Sequence, residues 1–496
     1  MALDGHDTVG VMTNHRAPST PSSGKFLKLP AATALVVGSV IGTGVFGIPS
    51  ALAGFGPISL IAFILVTIGA IALALVFAAL SKRSGDGAGG PYTYAREAFG
   101  EFAGFLNAWT YWVTAWAGNA AIVVALVGYV EVFVNTDHNI WWSIVIALIG
   151  LWIPVVINVL GLRSLGAAQT IFTVLKVIPL AFIALVGVFF INPANFGPFN
   201  SSGTSGWAAL AGAGAIALFS YLGIETAAVA AKRVQDPSRN IPRATIAGTL
   251  VSAVVYILGT LAVFGLVSNA ALRKSTAPFS DAANAMFGGS WAGEVIAVFA
   301  VVSGLGCLIG WTLIVGEMPN AAAKNQLFPR VFQTERHNVP IVGVVVSTVL
   351  ASLLTVLAYT SFEQVFTTVV LLTVFTSVVP YMFSAGAQLL DLIRGRGVRG
   401  GRFVRDMTIA IIALAFTFWA LLGSGQEAVF YGTVCVLLAV PLYALTRSAR
   451  RRGNDLLPDS APLGAPADLE DARIAGPLPD IDDDAASGEK KLEPIR

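Results

Sequence analysis

The stretch Gly38-Ser-Val-Ile-Gly-Thr-Gly-Val-Phe46 places three glycines near the middle of a long apolar segment. Glycine weakens a helix interior, so this stretch predicts that the helix unwinds there. An unwound turn in hydrocarbon costs several kcal/mol for each unsatisfied N–H or C=O group, unless a cavity, a ligand or a neighbouring helix satisfies it. Glycines four residues apart, such as Gly38 and Gly42, also form close helix-packing seams, and this alternative stays open.

The same stretch lies inside a run, residues 29–81, that contains no Asp, Glu, Lys, Arg or His. A spanning helix needs about 20 apolar residues, so the run holds two spans. Of the 496 residues 55% are hydrophobic and 12% are charged, and the mean hydropathy is +0.76. This composition excludes soluble, secreted, fibrous and disordered classes for the body of the chain. Further charge-free runs cover 102–130, 139–162, 177–224, 244–272, 338–362, 364–390 and 407–426.

These runs predict twelve membrane-spanning helices, with both termini on the cytoplasmic side of a cell membrane. This orientation places all 30 Lys and Arg residues in the cytoplasm except Arg273 and Lys274, outside, and Lys176, within a span. It therefore follows the positive-inside rule, which the reverse orientation violates. The spans are predicted near 30–54, 57–80, 102–131, 140–160, 166–191, 207–231, 244–268, 291–317, 340–359, 365–390, 407–424 and 428–446.

Outside the spans, residues 1–28 are expected to form a cytoplasmic arm and residues 447–496 a disordered cytoplasmic tail, with the transporter domain at 29–446. The tail is rich in Pro, Ala and Asp, a composition typical of disorder. Cys307 and Cys435 lie within predicted spans, and the four His residues lie in the arm or in loops. No metal site, cofactor or nucleophile cluster is predicted, which argues against a membrane enzyme. Nothing in the pattern indicates nucleic-acid binding.

A second interruption occurs in span 6, at Phe219-Ser-Tyr-Leu-Gly-Ile-Glu225. Two interrupted helices five spans apart suggest inverted repeats, about 29–191 and 207–390, with two added helices at 407–446. The free amides and positive dipole at the start of a half-helix suit an anionic group, and the carbonyls at the end of the other half suit a cation. Together they predict a receptor for an amino acid zwitterion.

These residues resemble the amino acid, polyamine and organocation transporter superfamily, and most closely its basic amino acid and polyamine antiporter branch, typified by the bacterial arginine/agmatine antiporter. The resemblance implies a leucine-transporter-type fold of 5+5 inverted repeats plus two helices, with alternating access. The motifs that carry it are Gly42-Thr-Gly-Val-Phe46, Gly89-Gly-Pro-Tyr-Thr-Tyr-Ala95, Tyr111-Trp, Trp116-Ala-Gly-Asn119, Gly223-Ile-Glu225, Asp236-Pro-Ser-Arg-Asn-Ile-Pro242, Gly310-Trp-Thr312, Leu327-Phe-Pro329 and Pro380-Tyr381.

The resemblance also implies roles for individual residues. Thr43 and the amide of Gly44 are expected to hold the substrate carboxylate, and the carbonyls of Val40, Phe219 and Leu222 to accept from its amino group. The expected side-chain pocket consists of Thr114, Ala115, Asn119, Trp311 and Thr373, and the expected aromatic gates are Tyr111, Phe219 and Tyr381. Several of these residues differ in type from their counterparts in the arginine antiporter. The substrate therefore stays open among arginine, lysine, ornithine, a diamine and a neutral amino acid.

The spacing of polar residues supports this site in part. Tyr111, Ala115 and Asn119 recur at intervals of four on span 3, and Thr373 and Tyr381 lie eight residues apart on span 10. Such stripes line a water-accessible path or form interhelical hydrogen bonds, and the spacing does not choose between these readings.

Two ionisable residues are predicted within the membrane. Glu225 is expected to be the proton-sensitive carboxylate, because intramembrane carboxylates are costly and usually functional. Lys176 lies deep in span 5, and the stretch Thr173-Val-Leu-Lys-Val-Ile-Pro179 resembles proton-coupled amino acid permeases of the same superfamily, in which a lysine takes the place of a sodium ion. The resemblance implies that Lys176 takes part in proton coupling. The alternatives are a structural hydrogen bond for Glu225 and snorkelling for Lys176.

The sequence therefore predicts a secondary active transporter, not an enzyme, that exchanges basic amino acids or their amine products by alternating access with proton sensitivity. A proton-coupled amino acid symporter of broader or neutral specificity and a non-transporting amino acid sensor stay open as alternatives. The expected partners are a small-molecule substrate and the lipid bilayer, and the resemblance allows a homodimer.

Overall fold

The computed structural model describes residues 28–83, 90–160, 166–225, 234–337, 339–362, 364–395 and 400–454. Within these ranges all regular elements are helices and no strand occurs. The all-helical fold class is therefore confirmed for the described part of the chain. The expected N-terminal arm, apart from residue 28, and the expected tail from residue 455 onward lie outside these ranges.

The α-helices of the described residues are numbered α1 to α17 in chain order. The first are α1 (Leu29–Val40), α2 (Ile48–Ala53), α3 (Ile58–Arg83), α4 (Pro91–Phe99), α5 (Glu101–Val130), α6 (Ile140–Val159), α7 (Gly166–Val186) and α8 (Gly206–Phe219). They are followed by α9 (Pro237–Leu266), α10 (Asn269–Leu272), α11 (Pro278–Phe287), α12 (Trp291–Lys324), α13 (Ile341–Ser361), α14 (Val365–Ile393), α15 (Gly401–Gly423), α16 (Gly425–Leu437) and α17 (Ala439–Asn454). Short 3₁₀ helices occupy Thr43–Gly47, Gly187–Phe190, Pro193–Phe196 and Arg330–Gln333.

Nine helical segments among the described residues are long and apolar enough to cross a membrane. They are α3, α5, α6, α9, α12, α13, α14, α15 and the segment Gly425–Ser448. The bent pair α1 and α2 makes a tenth if it forms one span, and Leu175–Phe190 and α8 are shorter apolar helices. The chain is thus a multi-pass membrane protein, and the total of twelve spans stays a prediction.

The predicted break in the first span is confirmed. Helix α1 ends at Val40, Gly42 is extended with φ −94° and ψ 170°, and the chain then turns through the 3₁₀ helix Thr43–Gly47 into α2. The segments before and after the break are inclined by 49°. The bend lies within the glycine-rich stretch, where helix propensity is lowest.

The sixth predicted span is also interrupted. Helix α8 ends at Phe219, and residues 220–225 form turns in which Gly223 has φ +101°. An L side chain rarely adopts this conformation, so the turn requires glycine. A Cβ atom at Gly223 would lie 3.0 Å from the Ser39 carbonyl oxygen. The break after α8 therefore lies directly against the end of α1.

The helices pack so that the two breaks lie inside the bundle. Helix α5 is the most completely buried of the spanning helices and packs against α12 and α14, while α1 packs along α9 and α8 along α3. The chain clusters into two units, residues 1–443 and 444–496. The described part of the second unit, 444–454, is the C-terminal end of α17.

Candidate substrate site

A small cavity lies where the two broken helices meet α5 and α12. Its volume is about 40 Å³. A buried water needs at least about 10–15 Å³ on this scale, so the cavity has room for a few waters but not for an amino acid. Six of the predicted substrate residues line it, namely Val40, Gly44, Thr114, Phe219, Leu222 and Trp311, and so do Ser39, Gly42, Val45, Gly118 and Ile122.

The ring of Phe219 closes this cavity against the backbone of the broken span. A Cβ atom at Gly44 would lie 2.3 Å from Phe219 Cε1, so the ring contacts the glycine directly. On its other side Phe219 meets Phe366 edge to face, with ring centroids 6.4 Å apart. Phe366 in turn packs against Gly47, where a Cβ atom would lie 2.8 Å from Phe366 Cε1. Two aromatic rings therefore lie between the cavity and the space beyond Gly47.

That space is a vestibule of about 780 Å³. Its walls come from the end of the first span, the C-terminal end of α5, the start of α6, residues 273–276 and the connection from α13 to α14. Gly47 and Phe366 belong to both its lining and the barrier described above. The vestibule gives a wide approach to the cavity from one side of the molecule.

The broken span already has partners for some of its backbone groups. The Val40 carbonyl accepts from the Tyr256 hydroxyl at 2.9 Å and from the Gly42 amide at 2.8 Å. A carbonyl oxygen has two lone pairs, so a substrate amino group would have to displace one of these donors. The amide of Gly44 lies in the first turn of a 3₁₀ helix, where amides have no partner within the helix. The side chain of Thr43 lies outside the described residues.

The wall formed by α5 and α14 is polar and tightly packed. Thr114 Oγ1 lies 2.9 Å from both Thr376 Oγ1 and the Thr110 carbonyl. Asn119 is buried, and its Oδ1 accepts no hydrogen bond from the described residues. Most buried polar atoms have a partner, so this oxygen is a candidate acceptor for a substrate amine.

Three predicted pocket residues lie in the same wall without lining the cavity: Asn119, Ala115 and Thr373. Ala115 is buried on α5. Thr373 is buried on α14, where its Oγ1 donates to the Val369 carbonyl at 2.8 Å. Its methyl carbon would lie 3.7 Å from a Cβ atom at Gly118, a cavity-lining residue, so Thr373 is one layer behind the cavity surface.

Glu225 is held between two tyrosines. Tyr111 on α5 donates to Glu225 Oε1 at 2.8 Å, and Tyr381 on α14 donates to Oε2 at 3.1 Å. The carboxylate is 3% exposed, and Phe77 of α3 packs edge to face on Tyr381. Tyr111 precedes the cavity residue Thr114 along α5, whereas the vestibule residues of α5 follow it, so this cluster seals the side opposite the vestibule.

Lys176 on α7 contacts the broken span directly. Its Nζ donates to the Gly38 carbonyl at 2.5 Å, and the residue is 3% exposed. The last carbonyls of a helix have no partner within the helix, so this ammonium satisfies one of those that α1 leaves open. The side chain is thus buried against α1 and not extended along the protein surface, as the snorkelling alternative requires.

The sequence did not identify Tyr256, Thr376 or Phe366 as part of this site. Each is one apolar or small polar residue in a charge-free run, and its role depends on a contact with a distant segment. The available signal for Tyr256 was that it is the only tyrosine in the run 244–272. Among the described residues no group of three or more His, Cys, Asp or Glu could hold a metal ion.

Comparison with known proteins identifies the family. Residues 27–442 match the model of the amino acid permease family. The chain is 32% identical to the putrescine transporter PotE of Haemophilus influenzae over 83% of this chain and 94% of that protein. It is 31% identical to PotE of Escherichia coli over the same shares, and 28% identical to the cadaverine/lysine antiporter of Escherichia coli over 88% and 98%. The chain therefore belongs to the amino acid permease family and is a membrane transporter, not an enzyme.

Proposed function

We propose that this transporter exchanges a basic amino acid for an amine across the cell membrane. The observation that carries the proposal is the cavity between the two broken helices, which Trp311 and Phe219 border. An aromatic face attracts an ammonium or guanidinium group by about 0.5 to 2 kcal/mol, depending on desolvation. The relatives described as a putrescine transporter and a cadaverine/lysine antiporter support a cationic substrate.

One site suits both substrates because they share an ammonium group. In the proposal, the amides around Gly44, with Thr43, bind the carboxylate of the amino acid, and the carbonyls of Val40, Phe219 and Leu222 bind its amino group. A diamine has no carboxylate, so it relies on the carbonyls, on Asn119 Oδ1 and on Trp311. Thr114, Ala115 and Thr373 shape the side-chain end of the pocket.

The two barriers then open in turn. Phe219, with Phe366 behind it, closes the cavity from the vestibule, and the cluster of Tyr111, Glu225 and Tyr381 closes it from the other side. A charged carboxylate accepts from both tyrosines, whereas a protonated one gains a donor and loses an acceptor site. Glu225 thereby links the opening of the second barrier to proton availability.

A proton-coupled symporter is the second candidate, and Lys176 favours it. Its ammonium contacts the Gly38 carbonyl at the break, so a change in its charge would act directly on the substrate-binding backbone. Lysine shifts its proton affinity readily when it is buried, which suits a switch.

The proposed architecture has twelve spans, with repeats at about 29–191 and 207–390, two added helices and both termini in the cytoplasm. In this orientation the vestibule opens to the outside, because Arg273 and Lys274, the basic residues placed outside, line it. The proposal includes a homodimer, which is supported by the family resemblance alone.

Counterflow in proteoliposomes tests exchange against symport. Uptake of labelled arginine, lysine, ornithine and putrescine is measured with and without internal substrate, and with and without an inwardly directed proton gradient. Exchange predicts uptake that requires internal substrate. Accumulation driven by external acid into empty vesicles would contradict exchange and favour symport, and binding without any uptake would contradict both.

A further inference from the structure

A buried carboxylate in the vestibule wall has no part in the proposed function. Glu131 directly follows the last residue of α5 and is 5% exposed. Among the described residues that line the vestibule it is the only acidic one. Hydrogen bonds between an ammonium and a carboxylate are about twice as strong as neutral ones, so a cationic substrate in the vestibule has Glu131 as its strongest partner.

The two oxygens of Glu131 have different partners. Oε1 accepts from Asn135 Nδ2 at 2.9 Å and from the Ser143 hydroxyl, which are neutral donors. Oε2 lies 2.8 Å from Nδ1 of His138. The Oε1 side is therefore a fixed contact between α5 and α6, while the Oε2 side contacts an exposed histidine ring.

The turn that carries His138 has an unusual backbone. Asn135 and His138 have φ values of 58° and 52°, in the left-handed region, which asparagine and histidine adopt more often than other non-glycine residues. The His138 side chain is 57% exposed, so its ring can leave Oε2 for water without losing a buried position.

Apart from Glu131, the charged and titratable groups among the described vestibule residues do not offer an anion. Tyr359 of α13 lies within electrostatic range of Glu131, and Arg273 and Lys274 line the same space. Arg273 donates to the carbonyls of Gly54 at 3.2 Å and Ser201 at 2.8 Å. An arriving ammonium is repelled by these two cations, so its favourable contact is with Glu131.

We propose that Glu131 is an outer binding site for a substrate ammonium group, and that the His138 ring competes with that group for Oε2. An amine held there lies in the vestibule, on the approach to Phe366 and the cavity. The exposed His138 ring gives up its contact when an ammonium, a stronger donor to a carboxylate, arrives. The inference rests on the proposed function, since it requires a cationic substrate.

Uptake of labelled putrescine by intact cells that express the full chain tests the site. Glu131→Gln raises the external KM by about tenfold while kcat stays within about twofold, because it removes binding that does not drive the rate-limiting step. His138→Asn lowers KM below the parent value, because the shorter side chain leaves Oε2 free for the amine.

Asp281→Asn is the matched control. Its carboxylate accepts from Ser275 at 2.5 Å, and it is absent from the described lining of the vestibule, so KM stays at the parent value. Thermal melting of the purified variants checks that each is folded.

Two results would overturn the outer site: a Glu131→Gln protein whose KM equals that of the parent, or a His138→Asn protein whose KM is not below that of the parent. Putrescine uptake that is absent from the parent would overturn the proposed function as well. The His138 variant changes an exposed ring, so it tests the inference even if Glu131→Gln does not fold.

Discussion

Glu225 joins three segments through one carboxylate, since it follows α8 and accepts from tyrosines on α5 and α14. A hydrogen bond to a charged group contributes about 1.5–3 kcal/mol, and leaving a buried donor without its acceptor costs about as much. A small change at this residue therefore has a large effect on how firmly the three segments stay together. This is the property expected of a gate that senses protons.

Glu225→Gln is expected to flatten the pH dependence of exchange, because a glutamine side chain does not change its charge with pH. The measurement is the rate of putrescine exchange in proteoliposomes across external and internal pH. Tyr111→Phe is the control, since it removes one hydrogen bond and keeps the titrating carboxylate. A Glu225→Gln protein with the parent's pH profile would exclude this carboxylate as the sensor.

Gly44 has to be glycine because the ring of Phe219 lies against it, with a Cβ position only 2.3 Å from Cε1. Gly44→Ala is expected to displace the ring into the cavity and to lower substrate binding at least about tenfold, a loss of about 1.4 kcal/mol. Binding of labelled putrescine to purified protein measures this. Adding Phe219→Leu should restore part of the affinity; no recovery in the double variant would mean that the ring is not the cause.

Single residues were predictable from sequence where a motif carried them. Six of the predicted substrate residues line one cavity, and Thr114, Phe219 and Trp311 come from three distant helices. Tyr256 and Phe366 were not predictable, because a hydroxyl bound to Val40 and a ring packed on Gly47 are contacts across the fold that leave no local pattern.

At the scale of elements, the broken first span is fixed from two sides. Lys176 on α7 donates to the Gly38 carbonyl, and Tyr256 on α9 donates to the Val40 carbonyl. Backbone groups that are freed in a membrane need such partners, because no bulk water replaces the helical hydrogen bonds. The break is therefore stabilised by specific hydrogen bonds. The two helices that donate them, α7 and α9, belong to different proposed repeats.

Lys176→Ala tests whether this support is also a proton switch. The symport candidate predicts that uptake driven by a proton gradient is lost while exchange at uniform pH is retained. Uptake of a labelled basic amino acid into vesicles with and without internal substrate separates the two activities. Gradient-driven uptake equal to that of the parent would remove Lys176 from the coupling mechanism.

Elements were predictable where hydropathy alone defines them. The nine long apolar helices all coincide with predicted spans. The helices α4 and α11 were not predicted, because short helices depend on tertiary contacts, such as the packing of Arg96 in α4 against Gly104 in α5. Hydropathy also does not show where an apolar helix ends and turns, as at Phe219.

At the scale of the whole molecule, the structure has a wide vestibule on one side of the cavity and a hydrogen-bonded seal on the other. In the proposed function, this arrangement is open toward one side, with the proposed substrate site closed by aromatic rings. The proposal then requires a second arrangement in which the Glu225 cluster separates and the vestibule narrows. The sequence predicted the transporter class and the breaks, while the direction of opening depends on packing among α5, α13 and α14.

The central claim is that the cavity between the broken helices binds the cationic substrate. The most direct test is equilibrium binding of labelled putrescine to the purified parent and to Trp311→Leu, with the exposed Trp291→Leu as control. Loss of a cation–π contact of about 0.5–2 kcal/mol predicts a dissociation constant raised by about 2- to 30-fold for Trp311→Leu and unchanged for the control. A Trp311→Leu protein that is folded and binds putrescine as tightly as the parent would contradict the account.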